Sequence, residues 1–182
     1  MKHIFLVIIL FLSACSNNKA NLNTWTKPQA KLMTLNEIAV MPISSNNGVS
    51  ISSDELQAIS KKLKSELNLK TSISVKECDS VVDEGRTMLE KAASYASSCG
   101  TQGTLYGLVT KYGNSEAAFN LWLYSGKHRA VVWTTIFENS QPVLTDNIFG
   151  SGGQGLKYKD SEKVLYQGLS DAAKNLEKSR MN

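Results

Sequence analysis

The sequence predicts a single α/β domain with a mixed sheet of about five strands, in the order β-α-β-α-β-β-β-α. Three observations lead there. Two short apolar or alternating runs each precede a segment whose apolar residues fall at helical spacing, the pattern of successive βα units. Three further strand-like runs then follow one another with short breaks, as in an antiparallel meander. The chain has 182 residues, 42% of them hydrophobic and only three of them Pro, which is enough apolar material to close one core.

The first strand is Glu37-Ile38-Ala39-Val40-Met41-Pro42-Ile43, ended by Pro42, which cannot donate to a ladder. Residues 44–50 are polar and read as a loop. Ser52-Ser53-Asp54-Glu55 offers a capping box between Ser52 and Glu55. Leu56, Ile59, Leu63 and Leu67 then recur at helical spacing, with Lys61, Lys62 and Lys64 turned outward as a solvated face. Ser72-Ile73-Ser74-Val75-Lys76 alternates as a second strand leading into Cys78. A second helix is predicted over roughly 80–98, its stripe being Val81, Gly85, Met88, Ala92, Ala96 and finally Cys99. Thr104–Tyr112, Phe119–Tyr124 and Ala130–Phe137 make the third, fourth and fifth strands, the last two joined by a turn around Gly126. Residues 138–160 are irregular and polar. Asp160 or Ser161 then caps a last helix with the stripe Leu165, Leu169, Ala172 and Leu176, and Lys174, Lys178 and Arg180 near its end complement the helix dipole.

Residues 1–14 stand outside this fold. Lys2 precedes nine unbroken apolar residues, Ile4 to Leu12, too few to span a bilayer but the length of a signal-peptide core. The run ends in Leu12-Ser13-Ala14-Cys15, which resembles a bacterial lipobox. There the small residues admit the signal peptidase and the Cys15 thiol takes the diacylglycerol, with palmitoyl chains as the usual acyl groups. An ordinary signal peptide cut after Ala14 is the competing reading. Two or three acyl chains would hold the protein firmly to its membrane. Ser16, standing where an Asp would favour inner-membrane retention, points to the outer membrane and its periplasmic face. The polar, Asn-rich stretch 15–35 reads as a lipid-anchored flexible tether, in which Trp25 either dips into the lipid interface or packs back on the domain. The periplasmic domain then covers 36–180.

With Cys15 used by lipid, Cys78 and Cys99 remain, and an oxidising periplasm pairs such cysteines. A disulfide across this loop of about 20 residues would stabilise the fold by ~3 kcal/mol in the chain-entropy model. Two buried free thiols are the alternative.

Charge and motif content exclude several functions. Charged residues are 20% and the net charge is +4, which fits neither an acidic disordered tail nor a basic nucleic-acid arm. Gly150, Gly152 and Gly155 satisfy Gly-x-Gly-x-x-Gly, but late in the chain and detached from the next helix, so they read as a loop and no dinucleotide cofactor is expected. His128 and Ser125 lie three residues apart in a turn and make no catalytic pair. A single histidine after removal of the leader leaves no usual zinc ligand set, so no metal is expected. Asp79, Asp83 and Glu84 read as dipole partners at the start of the second helix, and Tyr106, Trp122, Tyr124 and Trp133 as sheet-face packing rather than a nucleic-acid platform.

Three segments carry a family resemblance: Ile38-Ala39-Val40-Met41-Pro42-Ile43, then Leu105-Tyr106-Gly107-Leu108-Val109-Thr110-Lys111-Tyr112, then Val131-Val132-Trp133 with the following stretch to Asn147. They resemble an apolar strand ending in Pro, a G-x-V-x-x-Y strand and a Trp-closed hairpin found in bacterial envelope lipoproteins. That group includes the TolB amino-terminal domain, the curli secretion channel subunit and the lipoprotein activators of penicillin-binding proteins. The resemblance spans about 37–178 and is structural. The chain departs from it at Cys99-Gly100-Thr101-Gln102-Gly103, where relatives more often show Gly-Ala-Asp, and it lacks the long barrel-forming segments of the curli subunit. The resemblance implies a non-enzymatic accessory or assembly factor that contacts a protein partner in a secretion, flagellar or cell-wall synthesis complex. Loop 138–160 and an open sheet edge are the expected contact surfaces. A small-ligand or lipid-binding lipoprotein, with a pocket beneath the aromatic strands, is the alternative.

Overall fold

A computed structural model describes residues 21–28, 30, 32–78, 87–113, 116–140 and 161–182. Seven strands form one mixed, open sheet: β1 (Asn21–Thr26), β2 (Glu37–Val40), β3 (Ser44–Ser45), β4 (Ser74–Lys76), β5 (Gly103–Gly113), β6 (Glu116–Ser125) and β7 (Ala130–Ser140). Three helices pack on it: α1 (Ser53–Lys70), α2 (Met88–Cys99) and α3 (Ser161–Met181). The strand order is β1-β7-β6-β5-β2-β4, with β3 also pairing β5. β2 pairs β4 and β5 in parallel, whereas β5, β6, β7 and β1 form an antiparallel run.

The five strands read from the sequence are all present, and the sheet has two more. β3 follows β2 along the same edge of β5, at Ser44↔Leu108 and Ser45↔Val109. Pro42 divides what would otherwise be one strand, since it has no N–H to donate. On either side of it the Met41 amide donates to the Leu105 carbonyl and the Ile43 amide to Ser60 Oγ, both at 2.9 Å. Within the stretch 15–35 expected to be a flexible tether, Asn21–Thr26 is instead a strand, pairing antiparallel with β7 from Asn21↔Glu138 to Thr26↔Trp133. A short 3-10 turn, Leu32–Thr34, follows and buries Leu32.

The helices start where their caps place them. Ser52 Oγ accepts from the Glu55 amide and Glu55 Oε2 accepts from the Ser52 amide, so both arms of the α1 capping box are made. Thr87 and Glu90 form the same box for α2, and Gly100 closes that helix in the left-handed conformation (φ 62°, ψ 38°). The second helix thus begins at Met88, eight residues later than the roughly 80–98 expected from periodicity, because Thr87 holds an extended backbone. Val81, Gly85, Asp79, Asp83 and Glu84 lie outside the described residues, as does Asp160 before α3.

Two cores result. Ile59, Leu63 and Leu67 of α1 and Leu165, Leu169, Ala172 and Leu176 of α3 pack on one sheet face, over Ile38, Leu105, Leu123, Trp133 and the stacked Phe119–Phe137 pair (5.0 Å between centroids). Ala92, Tyr95, Ala96 and Cys99 of α2 cover the other face at Ala39, Met41, Tyr106 and Tyr124. α3 comes so close to the sheet that a Cβ on Gly168 would lie 2.8 Å from the Phe137 ring, which is why glycine sits inside a long helix despite its entropic cost there. On α1, Lys62 is not a free surface cation. It pairs with the buried Glu66 at 2.7 Å and lies over the Tyr166 ring, joining α1 to α3.

The sheet has two distinct ends. One carries Asn21, Gly113, Glu116 and Glu138. The other carries the β6–β7 turn, the starts of β2, β4 and β5, and the C-termini of all three helices. A buried charge binds this turn end together. Arg180 Nε donates to the Leu32 carbonyl (3.3 Å) and its Nη1 donates to Ser72 Oγ and to Glu177 Oε2 (3.0 Å). Glu177 in turn accepts from the Ser72 amide and hydroxyl.

Candidate functional site

Cys15, the expected lipidation site, lies outside the described residues. Cys78 and Cys99 are joined as a disulfide with Cα atoms 5.7 Å apart. Cys99 ends α2 and Cys78 stands two residues beyond edge strand β4, so the bond fastens helix to edge. The Tyr95 hydroxyl adds a hydrogen bond to the Cys78 carbonyl at 3.0 Å. Replacing both cysteines by alanine is expected to cost about 3 kcal/mol, the typical effect of closing such a loop. Urea unfolding with and without reductant checks this: reduction should shift the wild-type midpoint and leave the double variant unchanged.

The disulfide forms part of the wall of a groove of about 980 Å³. The groove opens because β4 ends at Lys76, leaving the continuation of β2 at Val40, Pro42 and Ile43 without a paired strand on that side among the described residues. α1 supplies the opposite wall with Leu56, Ser60, Lys61, Lys64 and Asn68, and Tyr95 lines it from α2. Its position outside the carboxyl ends of parallel strands is a common ligand-binding location in α/β sheets. Lys64 is tied to Glu77 at 2.6 Å, while Lys61 on the same wall has no ion-pair partner among the described residues. This cavity lies beside α1 and not beneath the aromatic strands, where Tyr106 and Trp122 instead stack at 5.4 Å. Burial pushes the Tyr106 hydroxyl above its ordinary range, as expected for a packed phenol.

Other sequence-level candidates disperse. Ser125 is buried and its hydroxyl has no partner among the described residues, so it is not activated by His128 in the adjoining turn. Gly150, Gly152 and Gly155 and nearly all of loop 138–160 lie outside the described residues; Glu138, Asn139 and Ser140 finish β7. Among the described residues no group of three or more His, Cys, Asp or Glu side chains could hold a metal ion. No helix among them is long and apolar enough to cross a membrane.

The sheet edge that periodicity missed is β1. Its sequence, Asn-Leu-Asn-Thr-Trp-Thr, carries neither charge nor proline, the usual guards of an edge strand. Trp25 is carried by this strand, paired opposite Thr134. It is about half exposed, on the sheet face that α2 leaves open, near the equally exposed Ile136. The alternation of exposed and half-buried residues along β1 was the available signal, but only Leu22 in it is aliphatic.

Neither a family model nor a curated protein sequence matches the chain. Solved structures do. The PelC dodecamer from Paraburkholderia phytofirmans is similar at 15% identity and TM-score 0.56, over 87% of this chain and 98% of that one. The hypothetical protein CT253 from Chlamydia trachomatis is similar at 11% identity and TM-score 0.50, over 79% and 98%. E. coli LpoB, an activator lipoprotein of the group that the strand motifs resemble, aligns at 14% identity and TM-score 0.46 over 59% of each chain. At these identities the likeness is one of fold: the chain folds as a mixed α/β domain of the kind seen in PelC and CT253.

Proposed function

We propose that the protein is a lipoprotein of the outer membrane, anchored through Cys15 on the periplasmic face, whose domain serves as a non-enzymatic accessory factor docking onto a larger envelope assembly. One observation carries the reading: β1 begins at Asn21, the sixth residue after the lipobox cysteine. Six residues span at most ~20 Å. Lipid on Cys15 would therefore hold the Asn21 end close to the bilayer and leave the turn end for contacts beyond it. PelC, with the same fold, is solved as a dodecamer, so the fold is compatible with extensive protein contacts.

Radiolabelled palmitate is expected to enter the wild-type protein and not Cys15→Ser, which should remain unprocessed and leave the outer-membrane fraction. Label that survives the substitution would overturn the anchor. A second reading, a lipoprotein that binds a small ligand or lipid, is favoured by the groove beside α1. A melting temperature raised by fatty acids or phospholipids in the wild type, and not in a Ser60→Trp variant that fills the groove, would favour it over docking.

A further inference from the structure

We propose that the turn end of the domain is a docking surface for an acidic, amphipathic segment of a partner protein. The proposal deepens the accessory reading above, resting on it for the orientation that turns this end away from the membrane. Two independent features meet here.

The first is apolar. Met33, Leu69 and Met181 are 68%, 71% and 70% exposed, against 41–49% for the other exposed large hydrophobics among the described residues. They lie on three separate segments, and Arg180 knots those segments together. It bonds the carbonyl of Leu32, next to Met33, and the hydroxyl of Ser72, three residues after Leu69, while itself preceding Met181. A recess of about 420 Å³ extends the surface from Thr34 to Lys127 in the β6–β7 turn. Flexible, polarisable methionine side chains suit a surface that accepts an apolar helix or strand face.

The second is charge. Lys27, Lys70, Lys127, Arg129 and Lys178 stand at this end, and none has an ion-pair partner among the described residues. The acids here are Glu177, already engaged by Arg180 and Ser72, Glu37 at the start of β2, and Glu66, which is paired with Lys62 and also attracts Lys70. Lys70 and Lys178 also complement the C-termini of α1 and α3. Lys27, Lys127 and Arg129 do not, since they lie beside β1 and in the turn. A cationic rim around exposed apolar groups selects an acidic partner and steers its approach. The exposed Met and Leu side chains favour a protein segment over a nucleic acid or a glycan, which would leave them unburied. The bilayer is not the occupant: the 11-residue β7, about 36 Å long, separates this end from the one where the lipid enters.

A photo-crosslinking amino acid placed at Met33 or Leu69 of the full-length protein, in the cells that make it, tests the proposal. The expected result is a discrete adduct from both positions and not from Trp25, with mass spectrometry placing the link in a partner segment of net negative charge. Lys127→Glu/Arg129→Glu should lower the yield at least tenfold, and Lys70→Glu/Lys178→Glu should do the same, with the melting temperature of each variant confirming that it is folded. The proposal is overturned by no adduct at either position, by a link to lipid, glycan or a neutral or basic segment, or by a yield indifferent to charge reversal in the folded variants. Membrane retention is read separately by fractionation, so an acidic adduct formed from soluble protein would support the surface while overturning the anchor.

Discussion

Arg180→Leu is expected to destabilise the domain by about 3–5 kcal/mol, the usual cost of stranding one partner of a buried ion pair. The Arg180 side chain is 7% exposed and serves three acceptors on three segments, so its loss removes the charged donor from the Leu32 carbonyl and the Glu177 carboxylate together, leaving them only the Leu35 amide and Ser72. At about 2–4 °C per kcal/mol for a chain of this size, the melting temperature should fall by roughly 6–20 °C. A loss under about 1 kcal/mol would place the pair with ordinary surface bridges. The network also has a pH signature. Burial alone would raise the Glu177 carboxyl, but hydrogen bonds from the Ser72 hydroxyl and amide and from Arg180 outweigh it and hold the group below 4.5. Glu55, bonded by Ser52, and Glu66, bonded by Lys62, are lowered too. A carboxyl held lower in the folded than in the unfolded chain contributes its full stability above the ordinary carboxylate range. That contribution is lost as pH falls through the folded value. Urea midpoints should therefore drop below about pH 4.5, and Arg180→Leu should flatten that dependence.

Trp133→Ala is expected to cost about 3–5 kcal/mol, the range for removing a large aromatic from a core. Trp133 is 1% exposed and is the largest fully buried side chain among the described residues, lying opposite Leu123 on the sheet face covered by α3. Trp133→Phe should behave differently. The indole Nε1 has no hydrogen-bond partner among the described residues, and an unsatisfied buried donor costs about 1–3 kcal/mol. Phenylalanine removes that donor while keeping most of the ring, so the two effects offset and the net loss should be about 1 kcal/mol or less. Chemical denaturation of the two variants side by side gives the ordering. If phenylalanine cost as much as alanine, the indole N–H would have to be satisfied in the folded protein.

Elements that bury a regular apolar stripe were the ones legible beforehand. The stripe Leu165, Leu169, Ala172 and Leu176 is wholly buried, and the Ser52–Glu55 box starts α1 where its sequence places it. The meander was legible because β5, β6 and β7 put a bulky apolar residue at nearly every core-facing position. Legibility failed where burial is partial. β1 gains its place from backbone pairing with β7, which leaves no hydrophobic alternation in Asn-Leu-Asn-Thr-Trp-Thr. β3 is two residues long, below any period. The start of α2 was readable from Thr87-Met88-Leu89-Glu90, a capping box outweighed by an apolar stripe carried too far upstream. The groove beside α1 could not be foreseen, because it arises from the difference in length between two neighbouring strands and not from any local residue pattern.

β1 also acts as a latch on distance. It is half-buried, lies at the sheet edge and is joined to a single strand among the described residues, so its ladder belongs among the first parts of the domain to open. With lipid on Cys15, the paired state keeps the domain within ~20 Å of the acyl chains. Release of the six β1 residues would carry the attachment point on to Leu32, buried and held by Arg180, and lengthen the maximal span to ~55 Å. A pull on lipid at Cys15 would load the β1–β7 ladder before any core strand. With such an anchor the same sequence would encode a short leash and a long one, and one antiparallel pairing would decide between them.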